Sequence, residues 1–187
     1  MKGKIRIIGG QWRGRYLQVP DKQGLRPTPS RVRETLFNWL ATYLPLSHCL
    51  DLFAGSGALG LEAASRGAKR VVLVEQERDI VQSLRQQVAT FAPDNNLEIV
   101  CADALKFLKG TPEPFDIVFL DPPFGRELLS PCCSLLEQNG WLKSHSYIYL
   151  EAERHFKIAD LPTTSWQIIR HKMASQVAFF LAERLEL

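Results

Sequence analysis

The sequence contains no apolar run approaching the roughly 18–20 residues that a membrane-spanning helix needs, so no segment is expected to cross a bilayer. Its opening residues, MKGKIRIIGGQWRGR, lack the apolar core and the small-residue cleavage site of a secretory leader, and the cytoplasm is the expected compartment. Cysteine is scarce, four in 187 residues. Cys49 and Cys101 lie within apolar runs, and Cys132 and Cys133 are adjacent. No CxxC pair has histidines nearby, which argues against a zinc site and for buried or inert thiols. His48, His145, His155 and His171 have neither triad nor metal-ligand spacing and read as structural or surface residues. No metal is expected, and internal repeats and low-complexity segments are missing.

What is present is an ordinary globular balance, 45% hydrophobic and 23% charged, in a length that suits one domain with a small appendage. The net charge of +3 hides an asymmetry. Residues 1–34 hold nine basic and two acidic side chains (+7), and the other 153 hold 14 basic and 18 acidic (−4). A basic arm on a mildly acidic body suggests either a polyanionic partner or a solvated face. The interleaved Trp12 and Tyr16 favour the first, because bases stack on such rings. Lys4, Arg6, Trp12, Arg13, Arg15 and Arg31 are the candidate nucleic-acid contacts.

The runs KIRII (4–8) and RYLQV (15–19) flank the turn-rich GGQWRG and predict a β-hairpin. Two prolines in RPTPS (26–30) interrupt regular structure. Ser30 is then the expected N-cap of a helix through residue 44, with Leu36, Phe37, Leu40 and Leu44 as its apolar stripe. From residue 49 strands and helices alternate. Strands are expected at 49–53, 70–75, 97–101, 115–121 and 146–151, and helices at 57–67, 78–91, 103–108 and within 127–140. The strands are continuous apolar runs, as in a parallel sheet covered by helices on both faces, and the alternation defines a doubly wound α/β domain. Two further strands, 166–173 and 176–185, are separated only by Ala174 and Ser175, which predicts a late antiparallel hairpin.

The stretch DLFAGSGALG (51–60) follows the first of these strands and opens a helix. Gly55, Gly57 and Gly60 satisfy GxGxxG, and Glu75 ends the second strand 20 residues after Gly55. Glycines let backbone approach a nucleotide-type ligand, and the distal acid accepts hydrogen bonds from ribose hydroxyls. A tight turn without a ligand is the plainer alternative, and the spacing alone leaves NAD open. Asp51 adds a negative charge at the mouth of the pocket, which repels a pyrophosphate and attracts a cationic amino group or sulfonium. The pattern resembles the first motif of class I S-adenosylmethionine-dependent methyltransferases. That resemblance implies that Asp51, Phe53, Ala54, Gly55, Ser56 and Gly57 hold the methionine half of the cofactor and Glu75 the ribose. It places Asp103 and Ala104 at the adenine, where Asp103 can also serve as a helix N-cap.

FLDPPF (119–124) ends the fourth strand on a carboxylate, two prolines and a ring. Ligands of parallel sheets bind beyond the carboxyl ends of the strands, so Asp121 should face the crevice of the glycine loop. Pro122 and Pro123 carry no N–H, and Pro123 holds Pro122 extended. A carboxylate beside a fixed carbonyl makes a two-acceptor fork for an amino group, and Phe124 offers a flat face for a base. A strand-end turn is the plainer alternative. The stretch resembles the (D/N)PP(F/Y) motif of methyltransferases acting on exocyclic amino groups of bases. Such a nitrogen is a poor nucleophile until two acceptors on one side favour a pyramidal geometry and free its lone pair. Asp121, Pro122, Pro123 and Phe124 are therefore the candidate catalytic residues, and whether Asp121 also accepts the proton stays open.

IIGGQWRGRYLQVP, RPTPSRVRETLFNWL, DLFAGSGALGLEAASRGA, VLVEQ and FLDPPF occur in this order and together resemble the RsmD family, bacterial guanine-N2 methyltransferases of 16S ribosomal RNA. The resemblance implies S-adenosylmethionine as methyl donor and a guanine of small-subunit RNA as acceptor, met in the subunit or an assembly intermediate. It implies a basic hairpin, residues 1–25, that meets RNA, and a methyltransferase domain over 26–187 with a Rossmann-like fold. The segment Arg26–Glu34 would cap the methionine end, with Arg26 and Thr28 in contact. The stretch 170–177 departs from the family pattern, which has an acid near His171 and a glycine near Ser175. A monomer is expected. Three other readings share parts of these motifs: a DNA adenine-N6 methyltransferase, an NAD-dependent oxidoreductase, and an RNA-binding assembly factor without catalysis.

Overall fold

The structure is a computed structural model that describes residues 3–19, 28–91, 96–154, 156–161, 165–174 and 177–186. Arg26 lies outside the described residues. Among the described residues nine strands form two sheets. The small one is a hairpin of β1 (Gly3–Arg6) and β2 (Tyr16–Val19). The large one contains β3 (His48–Asp51), β4 (Arg70–Glu75), β5 (Leu97–Cys101), β6 (Phe115–Leu120), β7 (Leu142–Glu153), β8 (Trp166–Ala174) and β9 (Val177–Arg184), in the order β5-β4-β3-β6-β7-β9-β8. From β5 to β7 every pairing is parallel. β9 runs antiparallel to both β7 and β8, which is the expected late hairpin.

The apolar runs divide their side chains by parity, because successive residues of a strand point to opposite faces. Cys49, Val71, Leu73, Ile117, Phe119 and Tyr149 enter one core, whereas Leu50, Val72, Val74, Val118, Leu120 and Leu150 enter the other. The first core lies under α1 (Ser30–Trp39), α2 (Ala58–Ser65) and α3 (Arg78–Phe91). The second lies under α4 (Ala104–Leu108) and α5 (Leu129–Gln138). No helix among the described residues is long and apolar enough to cross a membrane.

Helix α1 departs from expectation at both ends. Ser30 is not the cap. Pro29, at φ −56° and ψ 146°, occupies that place without a side-chain bond, and its carbonyl accepts from the N–H groups of Val32 and Arg33. The proline pre-sets the dihedral angle at which the chain enters the helix, so Ser30 is already its first turn. The helix stops at Trp39, and Leu40 and Leu44 stay in the core through a turn. Cys101 is another correction: it is exposed, because β5 is an edge strand, while Cys49, Cys132 and Cys133 are buried. Burial pushes the thiols of Cys49 and Cys132 up to about 12, which keeps them inert.

The hairpin is clamped to α2. Ile5, Leu17 and Val19 point into the first core, and Lys4, Arg6 and Tyr16 point away from it. The fully buried carboxylate of Glu62 accepts from the N–H groups of Ile8 and Gly9, both at 2.8 Å, and from Arg66 Nε at 2.7 Å. Arg33, also buried, lies 3.5 Å from Glu62 and donates to the Arg6 carbonyl at 3.0 Å. Gln11 N–H satisfies the Ser65 carbonyl at the end of α2 (2.8 Å). Gly10, at φ +76°, must be glycine, since a Cβ there would sit 1.8 Å from that carbonyl oxygen. A buried charge is tolerated only with partners such as these, and removing one costs ~3–5 kcal/mol in comparable pairs.

Candidate active site

The strands β4, β3, β6 and β7 are neighbours, and acids stand at their carboxyl ends: Glu75, Asp51, Asp121 just beyond β6, and Glu151. The candidate site is built from these four ends.

On the β3 side, Asp51 sits between Leu73 and Phe119 and is 1% exposed. Gly60 N–H donates to its Oδ2 at 2.9 Å, and its Oδ1 has no hydrogen-bond partner. Burial pushes the carboxyl up to about 7; the N–H groups of Gly60 and Phe53 oppose this, and the charge of Glu75 adds to it. Gly60 is dictated by packing: a Cβ would lie 2.5 Å from a Leu73 methyl and 3.2 Å from Asp51 Oδ2. Gly57 at φ +79° turns the chain into α2, where a Cβ would strike Leu61 and Leu84 at 2.8 Å. The loop is fixed from β4, since Glu75 accepts from Gly55 N–H at 3.0 Å and from Glu77 N–H at 2.9 Å. Ala54 and Ser56 are buried, Phe53 half-buried. Asp103 caps α4 by accepting from Lys106 N–H at 3.0 Å, and Ala104 is buried beneath it. A buried acid with an unused oxygen, beside glycines that no side chain can replace, fits a cationic amino group. It does not fit a pyrophosphate.

On the β6 side, Asp121 just beyond β6 and Glu151 within β7 stand at the same level, because Leu120 pairs with Leu150. Thr28, brought in from the segment before α1, donates from Oγ1 to Asp121 Oδ2 at 3.0 Å. Tyr149 O–H donates to Glu151 Oε1 at 2.8 Å. Burial, and then the charge of Glu151, hold the Asp121 carboxyl well above the usual range, against the bond from Thr28. Burial raises Glu151 as well, opposed by Tyr149 and Thr28. Pro122 is buried, Pro123 exposed, and the Phe124 ring is 52% exposed. Beyond the ring the chain is held by Gly125 N–H on Glu153 Oε1 at 3.0 Å.

Two site residues expected from the sequence have their surroundings defined by the fold. Thr28, expected at the cofactor, donates its hydroxyl to Asp121 and so stands beside the DPPF stretch. Trp12, assigned to base stacking, is 6% exposed and packs in the first core, so its ring is not available to a partner. The exposed ring of the arm is Tyr16, 55% accessible and paired across the hairpin with Arg6. Lys4, Arg6, Arg13, Arg15 and Arg31 are all exposed, as a contact surface requires. Glu151 and Tyr149 were missed. The one signal was that SYIYLE, like the strands before Asp51, Glu75 and Asp121, ends an apolar run on an acid.

A parallel sheet wound in this order, with a glycine loop after β3 and an antiparallel β9, is the fold of a class I methyltransferase. A family model described as "conserved hypothetical protein 95" matches residues 5–183. The ribosomal RNA small subunit methyltransferase D of Escherichia coli is 51% identical over 182 residues, covering 97% of this chain and 91% of its own. The protein of the same name from Haemophilus influenzae is 43% identical over 183 residues, covering 96% and 94%. The solved structure of Escherichia coli yhhF superposes with a TM-score of 0.90 at 50% identity, across 99% of this chain and all of that one. This chain belongs to the RsmD family of methyltransferases.

Proposed function

We propose that this protein transfers a methyl group from S-adenosylmethionine to the exocyclic N2 amino group of a guanine in 16S ribosomal RNA. The observation that carries the reading is the position of Asp121-Pro122-Pro123-Phe124, which leaves β6 beside the glycine loop of β3. The relatives named for methylation of small-subunit ribosomal RNA support the choice of substrate.

S-adenosylmethionine, when bound, supplies a methyl group activated on a sulfonium. Asp51, with its free Oδ1, would meet the amino group of the methionine half, and the Gly55–Gly57 backbone would line it. Glu75 would accept from the ribose, and Asp103, between β5 and α4, would meet the adenine. Asp121 Oδ1 and the Pro122 carbonyl would accept the two N–H bonds of the substrate amine, holding its lone pair toward the donor. Such alignment is where most of the rate would come from, up to ~7–11 kcal/mol for ideally placed groups. Phe124 would stack on the base. As the new N–C bond forms, the nitrogen becomes cationic and must lose a proton. Asp121, made more basic than an ordinary carboxylate by burial and by Glu151, is placed to take it. The basic face of the hairpin, residues 1–25, would run along RNA phosphates with Tyr16 as a stacking ring. In this reading the protein acts as a monomer in the cytoplasm.

The test offers labelled S-adenosylmethionine with small subunits lacking the modification, their naked RNA, or duplex DNA. Label should enter subunits or their RNA. Label only in DNA, or in none of the three, contradicts the reading.

A further inference from the structure

Among the described residues the large sheet ends on β5 at one side and on β8 at the other. β8 is the longer of the two, nine residues from Trp166 to Ala174. Its sequence, WQIIRHKMA, changes character halfway and contains no acid. Trp166, Ile168 and Ile169 pack against the cores. Arg170, His171, Lys172 and Met173 are exposed. Their cross-strand neighbours on β9 are Leu181, Phe180, Phe179 and Ala178, so the adjacent strand sets no carboxylate opposite the cations. Lysine on an outer strand is also a common guard against edge-to-edge pairing, which is the plainer use of such charges.

Register gives the basic half of β8 a second meaning. β9 is antiparallel to both β7 and β8, so β8 runs parallel to β7 and its later residues reach the carboxyl end of the sheet. Lys172 pairs with Phe179, and Phe179 with Glu151. Glu151 is level with Asp121. Lys172 therefore stands three strands from Asp121, roughly 15 Å at the ordinary strand spacing. Arg170 and Lys172 lie opposite Leu181 and Phe179, which belong to the first core, so both are on the sheet face that α1 covers. Trp39 of α1 packs on that same Phe179, with ring centroids 5.5 Å apart. The exposed Arg31 opens α1, three residues after the Thr28 that bonds Asp121. On the far side of Asp121, the N-terminal hairpin sits on α2 and α3, through Glu62 and through Gln18 N–H on Gln87 Oε1 at 2.7 Å. Those helices pack on β4 and β5. The two basic surfaces thus flank the DPPF stretch from opposite sides.

We propose that the exposed half of β8 is a second RNA-binding surface, on which Arg170 and Lys172 hold phosphates flanking the target nucleotide. The proposal rests on the reading of RNA as the substrate. A base turned out of its strand into the site leaves its neighbours' phosphates outside, and these must lie against whatever borders the site. Cations on both flanks hold the strand on either side of the extruded base, which a hairpin on one flank cannot do. Charge also selects RNA over a second copy of this chain. Two β8 edges paired antiparallel would bring their Arg170–Lys172 segments together, and like charges opposite one another are destabilising.

The experiment measures binding of naked small-subunit RNA across a salt series, with cofactor affinity by calorimetry and Tm as checks on the fold. It compares the wild type, Arg170→Glu with Lys172→Glu, Arg170→Ala with Lys172→Ala, and Arg13→Glu with Arg15→Glu. The glutamate pair on β8 keeps a charged edge, so an edge guard still works and only a phosphate contact is lost. It should weaken RNA binding roughly 10-fold or more, and the alanine pair less. The alanine pair should flatten the log–log salt slope by roughly 1.4, for two contacts at about 0.7 each on a single strand. Cofactor affinity should change less than about 3-fold in both. Should the glutamate pair fail to fold, the slope of the alanine pair decides alone. RNA affinity and slope unchanged by the β8 variants, while the hairpin reversal weakens binding, overturns this proposal and leaves the substrate reading standing. A wild type that binds no RNA at all overturns both. A concentration-dependent dimer in light scattering that the glutamate pair abolishes gives the edge to a second copy and overturns the proposal.

Discussion

The glycine loop from Asp51 to Gly60 and the cluster of Thr28, Asp121, Tyr149 and Glu151 stand at the same end of one sheet, yet they are made differently. The loop is ten consecutive residues, held by bonds over short sequence distances such as Gly60 to Asp51 and Gly55 to Glu75. Its requirements are mostly on backbone: positive φ at Gly55 and Gly57, and close packing at Gly60. The cluster is drawn from three chain segments, with 93 residues between Thr28 and Asp121. Its bonds run between side chains, from Thr28 to Asp121 and from Tyr149 to Glu151. A binding surface that must accept a fixed cofactor can be local, whereas a group that must be aimed at a reacting atom needs support from several directions.

The sharpest way to break this comparison is Asp121→Ala. Methyl transfer should fall by about 10³-fold or more, while cofactor affinity measured by calorimetry stays within a few-fold. A comparable loss in affinity would merge the two halves. On the other side, Gly60→Ala should destabilise the fold by ~1–3 kcal/mol in denaturant titration, because the new methyl meets Leu73 at 2.5 Å. It should weaken cofactor binding with it.

Asp51→Asn separates binding from stability. The Asp51 carboxyl is raised from 3.8 to about 7, so the buried charge lowers stability as pH climbs through that window and the penalty is complete above it. Above pH 7 the asparagine variant should be more stable by on the order of 1–3 kcal/mol, read as a higher Tm, and should bind cofactor more weakly. In the wild type, cofactor affinity should rise as pH increases through about 7, as Asp51 ionises to meet a cation. A flat profile would remove Asp51 from the contact. The smallest effect concerns the hairpin. If its basic side chains make about five phosphate contacts, the log–log salt dependence of RNA binding should have a slope of roughly −3 to −5, and reversing Arg13 and Arg15 to Glu should flatten it.

Legibility followed the same division. β4, α3 and β5 begin and end where the apolar periods do, at 70–75, 78–91 and 97–101. The glycine loop was legible because glycine identity reports backbone demands directly. Helix α1 misled because its apolar stripe continues past Trp39 into a turn, and side-chain pattern cannot distinguish a buried helix from a buried turn. Trp12 misled because a ring within a basic segment looks exposed until α2 is seen beneath it, gripping the hairpin through Glu62. Glu151 escaped because an acid at a strand end looks like a boundary, and only the pairing of β6 with β7 sets it beside Asp121.

The methylated nucleoside itself is the decisive observable. After reaction with the methyl donor, small-subunit RNA should be digested and its nucleosides identified by mass spectrometry against authentic standards. One N2-methylguanosine should appear at a single position, and it should be absent with Asp121→Ala. Methyl groups on adenine, on a ring nitrogen, or on DNA, or a product that persists without the Asp121 carboxylate, would contradict it.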